Sequence, residues 1–382
     1  MTRSSQGLTQ SLHIHNMNLA RPLKTRSPLN AANLQLLRGV SRSFYMSIRL
    51  LPGPLRAPVA VGYLLARATD TVADTTAMPQ AERQALLADL LQAIDAPAEQ
   101  LDRLCKALSL ALAGFAAHQS NPNERALMQA LPDCLPLLHR LSKADQASVR
   151  AVLTPITQGQ TLDVHRFGHA SPSSVQSLHS EDELTHYTWL VAGCVGEFWT
   201  ELCTRHLPGF ANLPTEQMQS LGRQYGMGLQ RLNIVRDVAA DLAQGRCYFP
   251  RERLQALGLT PETLAQAART GDRTGCIKLA PLYQEYLQQI HTQLEGGLLY
   301  SCALNSRRLR LASALPALIG ARTLALLTQA GPQALAATPS PSIKMPRHEV
   351  RALLWRLVLG GISPRVLKQE FERLSQCENP PP

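Results

Sequence analysis

The sequence predicts an all-α, single-domain protein, a helical bundle around an apolar interior. Three observations point there. Apolar residues recur at helical spacing through most of the chain, no segment alternates with the period of two expected of a half-buried strand, and no evident linker divides the pattern. With 382 residues, 45% hydrophobic and 17% charged, the chain is long enough for one large buried core. The expected organisation is a basic, disordered arm over 1–29, one folded domain over 30–376 and a tail over 377–382.

The elements follow in order. A short helix is expected over 30–40, then a turn at Pro52-Gly-Pro54. The next helix, which ends near Asp74, tolerates Pro54 and Pro58 because proline is harmless in or before an opening turn. Helices are expected over 80–94, 98–118, 123–130, 131–141 and 143–167, followed by a Ser/Pro loop over 168–180. Ser180-Glu-Asp-Glu183 reads as a capping box that opens a helix over 181–205. Pro214 precedes a helix that stops at Gly245, and Thr260-Pro-Glu262 opens another. Long helices over 277–303 and 307–329, a loop over 331–342 and a helical region over 347–374 broken near 360–364 complete the chain. Gly226-Met-Gly228 lies inside a helical pattern, where a dinucleotide-binding loop cannot form.

The net charge of +10 is unevenly placed. Residues 1–69 hold nine Lys/Arg and no Asp or Glu, so the rest of the chain is close to neutral. A solvated basic arm, an organelle transit peptide, or peripheral contact with an anionic membrane all fit this pattern. Nucleic acid does not, since the basic residues are not interleaved with aromatics and no binding motif is present. Eight cysteines without a Cys-x-x-Cys pair imply reduced thiols in a cytoplasmic setting rather than a zinc site. No apolar run reaches the ~18–20 residues that span a bilayer. The expectation is a cytoplasmic protein, at most peripheral to the membrane, as a monomer or weak homodimer.

Two of the expected helices carry carboxylates on otherwise apolar surfaces. On the later one, Gln230, Asn233, Asp237 and Asp241 fall within about 80° of arc, between Leu229, Leu232, Ile234, Val235, Val238 and Leu242. On the earlier one, Tyr63, Arg67, Asp70 and Asp74 fall within about 60° of arc among Leu, Ala and Val. Such aspartates would cost several kcal/mol if buried without partners. A solvated stripe is the ordinary explanation of one Asp-x-x-x-Asp; two of them, each with an arginine nearby, favour a divalent cation with oxygen ligands. Mg²⁺ is commonly held by one or two carboxylates plus substrate phosphates. Carboxylates from two facing helices therefore suit ionisation of an allylic diphosphate, with arginines adding bidentate phosphate contacts.

Four segments then share an order. Ser41-Arg-Ser-Phe44, the stretch from Tyr63 to Asp74, Tyr187-Thr-Trp-Leu-Val-Ala-Gly193 and the stretch from Asn233 to Asp241, followed by Gly245-Arg-Cys-Tyr-Phe-Pro250, resemble the squalene/phytoene synthase family. The resemblance implies an isoprenoid-synthase helical bundle around a central apolar cavity and makes residues 30–376 the catalytic domain. It implies Asp70, Asp74, Asn233, Asp237 and Asp241 as Mg²⁺ ligands. Arg67, Gln230, Arg236, Arg246 and Tyr248 would meet metal or diphosphate, as would Ser41, Arg42 and Ser43. Phe44, Tyr63, Val191 and Ala192 would line the substrate cavity, where aromatic faces favour a nearby cation. Tyr187 would stand near the carbocation and assist proton removal. Gln160-Thr-Leu-Asp163 is similar to a family segment that often reads Gly-Met before a helical Asp, with Thr161 at the methionine position.

The expected reaction is Mg²⁺-dependent head-to-head condensation of two farnesyl diphosphates through a cyclopropylcarbinyl diphosphate, with NADPH reduction to squalene. Asp-Thr at Asp70-Thr71 resembles the squalene branch, Leu324 stands where the phytoene-like branch often has a tyrosine, and Lys344 and Arg347 lie in a segment loosely similar to the squalene branch's reductant contact, interrupted by Pro346. The alternatives are phytoene or dehydrosqualene synthesis without hydride transfer, and a hydroxysqualene-forming synthase. A di-iron bundle needs a Glu-x-x-His on each of two helices, and only Glu183-Leu-Thr-His186 fits. A non-catalytic membrane-binding helical protein is the remaining reading.

Overall fold

A computed structural model describes residues 29–41, 44–336 and 343–376. Residues 1–28 of the expected 1–29 arm, the Arg42 and Ser43 sites, the end of the 331–342 loop and the 377–382 tail lie outside the described residues, as does the Phe44 side chain; Leu29, the arm's last residue, is buried in the core. The described chain is helical almost throughout, as its periodicity predicts.

Ala31–Ser41 and Phe44–Leu50 lead into the first aspartate helix, Gly53–Asp74, whose Pro58 is buried among Leu55, Val59 and Val61. Gln80–Asp95 and Ala98–Ala117 follow near their expected bounds. The two short helices expected over 123–141 are a single one, Pro122–His139, despite Pro132 and Pro136 inside it. Burial of Leu127, Leu131, Leu135 and Leu138 along one side outweighs the backbone bonds that the prolines remove. Lys143–Phe167 is capped by Ser142, whose side chain accepts from Asp145 N.

The helical run expected over 181–205 contains a π-helical turn, Trp189–Gly193, between Glu181–Thr188 and Cys194–His206. Ser180 caps its start by accepting from Glu183 N, while the Glu183 carboxylate reaches back to His179 N rather than to the cap residue. The second aspartate helix, Thr215–Ala243, packs against this π-helical turn, against Ala280–Ala303 and against Cys194–His206. Close approach requires glycine there. A Cβ on Gly226 would lie 2.2 Å from Ala192 O, and one on Gly196 would lie 1.9 Å from Gly222 O.

The expectation of no strands is corrected by one short parallel pair, Gln176–Ser177 with Arg246–Cys247. It ties the loop before Ser180 to the segment after the second aspartate helix. The helix expected over 277–303 is two, Arg273–Ile277 and Ala280–Ala303, with Pro281 in the first turn of the latter. Arg307–Ala330 is long and apolar enough to cross a bilayer by length and composition, a length expected of no apolar run. Its apolar window is 61% buried in the fold, the setting of a core helix. Arg347–Gly360 and Pro364–Ser375 close the described chain.

Buried side chains form two clusters. The first aspartate helix belongs to one, residues 232–242 of the second aspartate helix belong to the other, and Lys143–Phe167 contributes to both. The seven described cysteines are all free thiols.

Candidate active site

Two chambers meet where the clusters join. The polar one, of about 440 Å³, is bordered by Tyr63, Arg67, Asp70 and Asp74 from the first aspartate helix, Gln160 and Asp163 from Lys143–Phe167, Tyr187, and Arg246 and Tyr248. The apolar one, of about 300 Å³, is bordered by Ala192, Trp199, Tyr225, Leu229, Asn233 and Pro316 among others. Val191, Val195 and Gln230 border both, so the chambers share a wall. The π-helical turn contributes Val191 to this wall beside Val195 and Gln230; Val191 packs over Gly159 of Lys143–Phe167, and the Ala192 carbonyl lies over Gly226 of the second aspartate helix. A cleft of about 560 Å³ between Ala31–Ser41 and Pro122–His139 has no comparable convergence of carboxylates.

Carboxylates crowd the polar chamber. The Asp70 carboxyl is pushed up to about 7, by burial first and then by Asp74, against the pull of Arg67. Its side chain remains 40% accessible from the chamber, so solvent offsets part of that burial. Asp74 is raised as well, chiefly by burial. Asp241 is pushed up to about 7 by burial, opposed by Arg246 and aided by repulsion from Asp237, Asp163 and Asp74. Asp163 rises to about 6, again mainly through burial, against the Tyr248 hydrogen bond and Arg246. Four carboxylates from three helices thus lie within electrostatic reach of one another, with Arg67 paired to Asp70 and Arg246 Nη1 4.0 Å from Asp163 Oδ2, while Asp241 lies just outside the chamber lining. Such an arrangement is short of positive charge.

Arg67 is paired with both Asp70 and Glu124, a partner that the sequence reading did not single out. Its Nε and the Gln160 Oε1 are buried without a hydrogen-bond partner among the described residues. An unpaired donor and acceptor beside the carboxylates are what a polar ligand would satisfy. No three His, Cys, Asp or Glu side chains among the described residues stand close enough to hold a metal ion by themselves.

The aromatic side of the chamber is a network. Tyr248 Oη donates to Asp163 Oδ1 at 2.7 Å, and the Tyr187 hydroxyl is buried within electrostatic reach of both. The Tyr187 and Tyr248 rings stack with centroids 5.4 Å apart, and Phe167 tilts against Tyr248 at 4.9 Å. Burial, with the Asp163 charge adding to it, holds the Tyr187 hydroxyl well above its ordinary range. The Tyr248 hydroxyl is raised likewise by burial, with Tyr187 and then Asp163 adding to it.

Other expected site residues stand apart. The guanidinium of Arg236 is bonded to its neighbour Asp237 through two hydrogen bonds, and neither residue borders a chamber. Asn233 faces the apolar chamber and donates to Gln230 Oε1 at 3.4 Å. The Ser41 hydroxyl is spent on Leu37 O. Tyr63 reaches the polar chamber, with its hydroxyl 3.4 Å from Val40 O. Lys344 and Arg347 border neither chamber. Glu183 of the Glu-x-x-His segment is bound to Arg166.

Comparison with known proteins agrees with this architecture. Residues 37–351 match the family model described as squalene/phytoene synthase. A bifunctional lycopene cyclase/phytoene synthase of Phaeosphaeria nodorum is 31% identical over 225 residues, 59% of this chain and 34% of that protein. The squalene synthase of Saccharomyces cerevisiae is 28% identical over 229 residues, 60% of this chain and 47% of its own. The matched regions therefore span about a third to a half of these relatives. A solved ligand complex of TcSQS shares the fold, with a TM-score of 0.64 at 19% identity over 90% of this chain and 88% of that one.

Proposed function

The chain belongs to the squalene/phytoene synthase family, and we propose that it is a prenyltransferase that joins two farnesyl diphosphates head to head through a cyclopropylcarbinyl diphosphate. The observation that carries this reading is the shared wall: a carboxylate- and arginine-lined chamber opens beside an apolar one across Val191, Val195 and Gln230. A diphosphate and its greasy tail need those two environments side by side.

Arg67 and Arg246 are the cations of the polar chamber, and their guanidinium groups suit bidentate grip on phosphate oxygens. Mg²⁺ would be held by Asp70 and Asp74 from one helix and Asp241 from the other together with diphosphate oxygens, and would supply Lewis-acid neutralisation of the leaving group. Asn233, which borders the apolar chamber, and Asp237, which is bonded to Arg236, are left out of that set. The diphosphate departs with the bonding pair of C1, the C2–C3 double bond of the second molecule attacks that carbon, and loss of one proton closes the cyclopropane. The Tyr187 hydroxyl, buried within reach of Asp163 and Tyr248, is the group positioned to take part in that proton's removal. Apolar walls keep water from the carbocation.

Squalene, formed by reduction with NADPH, is the product we favour, in line with the Saccharomyces cerevisiae relative. Lys344 and Arg347 border neither chamber, so the reduction rests on the resemblance rather than on a nicotinamide site built from that pair. The second reading, phytoene or dehydrosqualene synthesis without hydride transfer, is favoured by the Phaeosphaeria nodorum relative. Both share the first half-reaction. Release of inorganic diphosphate from farnesyl diphosphate, present with Mg²⁺ and abolished by chelation, tests that shared step; release that is indifferent to chelation would contradict it.

A further inference from the structure

Glu124 does not border the polar chamber, yet it holds one of the two arginines that do so among the described residues. Arg67 donates to Asp70 Oδ2 through Nη1 and to Glu124 Oε1 through Nη2. The two partners differ in kind. Asp70 lies three residues along the same helix and itself borders the chamber. Glu124 comes from another helix, Pro122–His139, 57 residues later in the sequence.

The chain around Glu124 is braced along the first aspartate helix. Gln119 is buried, and its Nε2 donates at 2.6 Å to Oγ1 of Thr75, the residue that follows Asp74. Arg125 Nε and Nη2 both donate back to Gln119 O, at 3.2 and 2.6 Å. The Asn121 side chain caps Pro122–His139 by accepting from Asn123 N at 3.0 Å, while its Nδ2 donates to Glu124 Oε1 at 3.3 Å. Glu124 stands in the first turn of that helix, where the N-terminal partial charge favours a carboxylate. The same turn packs closely on Ala31–Ser41, since a Cβ on Gly39 would lie 2.7 Å from Asn123 Oδ1. An exposed ion pair contributes little; here both side chains are largely buried and the carboxylate is fixed by its own surroundings.

What needs a fixed point is the arginine. Its long side chain loses much rotamer freedom when the guanidinium is held in one place. Asp70 cannot be that point throughout, because a carboxylate that turns to a cation in the chamber releases Nη1. Glu124, outside the chamber, keeps its hold on Nη2. The released Nη1 and the buried Nε, which has no partner among the described residues, are then the donors left for phosphate oxygens. We propose that Glu124 is a positioning residue, which acts through Arg67 by setting the guanidinium in place before a diphosphate arrives. The role rests on the diphosphate chemistry proposed above. By charge alone Glu124 would do the opposite and oppose an incoming anion, so contact and charge predict different responses to substitution.

Calorimetric titration of the full chain with inorganic diphosphate in the presence of Mg²⁺ separates the two. Glu124→Asp keeps the charge and withdraws the acceptor by one methylene, so affinity should fall about tenfold. Glu124→Gln removes the charge and keeps an acceptor in reach, so affinity should stay within about threefold of wild type. In an Arg67→Met background Glu124→Asp should have no further effect, because its action runs through the guanidinium. Should Arg67→Met fail to fold, the contrast between the Asp and Gln variants carries the test alone. Tighter binding by Glu124→Gln with unchanged binding by Glu124→Asp would make Glu124 a competing counter-ion and overturn the proposal. So would a Glu124→Asp protein with a lowered Tm and wild-type affinity, or a loss that persists in full in Arg67→Met. A wild-type chain that binds no diphosphate would overturn the proposed function and this role together, whereas wild-type binding that both Glu124 variants leave intact overturns the role alone.

Discussion

Tyr248 Oη donates a 2.7 Å hydrogen bond to Asp163 Oδ1, joining the segment after the second aspartate helix to Lys143–Phe167 across 85 residues of sequence. Through this bond the segment that carries Arg246 is fixed against the helix that carries Asp163, with Tyr187 stacked on Tyr248 beside them.

Tyr248→Phe removes that tie and keeps the ring against Phe167 and Tyr187. A buried acceptor loses its donor, worth about 1–3 kcal/mol. We expect kcat to fall by about tenfold to a hundredfold with little change in KM, since the diphosphate contacts survive. A rise in KM at constant kcat would place Tyr248 in substrate binding instead.

Asp163 makes the pH dependence specific. Its folded pKa of about 6 lies above the ordinary carboxylate range because burial penalises the charge. The native state therefore binds its proton more tightly than the unfolded chain. The stability contributed by this group is full below about pH 4 and is lost as pH rises through about 6. Asp163→Asn should raise the Tm of the ligand-free protein at pH 8 and leave it unchanged near pH 4, while lowering turnover. Scanning calorimetry at the two pH values checks this; an equal gap at both would rule out the buried charge as its cause.

The carboxylate excess predicts a reciprocal effect of cation. Asp70, Asp163 and Asp241 are all raised by burial, so the ligand-free protein should lose stability as pH climbs from about 4 to 7. Mg²⁺ with inorganic diphosphate should restore it, more at pH 8 than at pH 6, read as a Tm shift. Asp70→Asn should reduce turnover by at least two orders of magnitude, the scale of losing a key electrostatic group. Unaltered turnover in Asp70→Asn would take this carboxylate out of the catalytic machinery.

Gly226 tests the chamber wall. The Cβ of Gly226→Ala would meet Ala192 O at 2.2 Å, backbone that has no flexible end to yield. About 1–3 kcal/mol of destabilisation is expected, as for overpacking, with a raised KM as Val191 and Ala192 shift. A denaturant midpoint equal to wild type would mean that the π-helical turn yields freely.

Much of this was legible in the sequence. Both aspartate helices stand where apolar periodicity puts them, because a helix buried on both flanks has few alternatives. The π-helical turn at Trp189–Gly193 was not, since a single wide turn leaves no periodic trace. The Gln176–Ser177 pair with Arg246–Cys247 is too short to show alternation, yet it carries Arg246 toward Asp163. Asp163 was read only through a loose resemblance with Thr161 in place of methionine, and its partnership with Tyr248 is a tertiary fact. The Arg67–Glu124 pair and the burial that lets Pro132 and Pro136 sit within one helix are likewise tertiary.

The central claim is head-to-head prenyl transfer, and product analysis by gas chromatography–mass spectrometry addresses it most directly. The purified full chain would receive Mg²⁺ and farnesyl or geranylgeranyl diphosphate, with and without NADPH. Squalene formed only from farnesyl diphosphate with NADPH is the result predicted here. A C30 conjugated triene, a C30 alcohol or a C40 hydrocarbon would keep the prenyl transfer and correct the product. Absence of any coupled product under all conditions would contradict the claim.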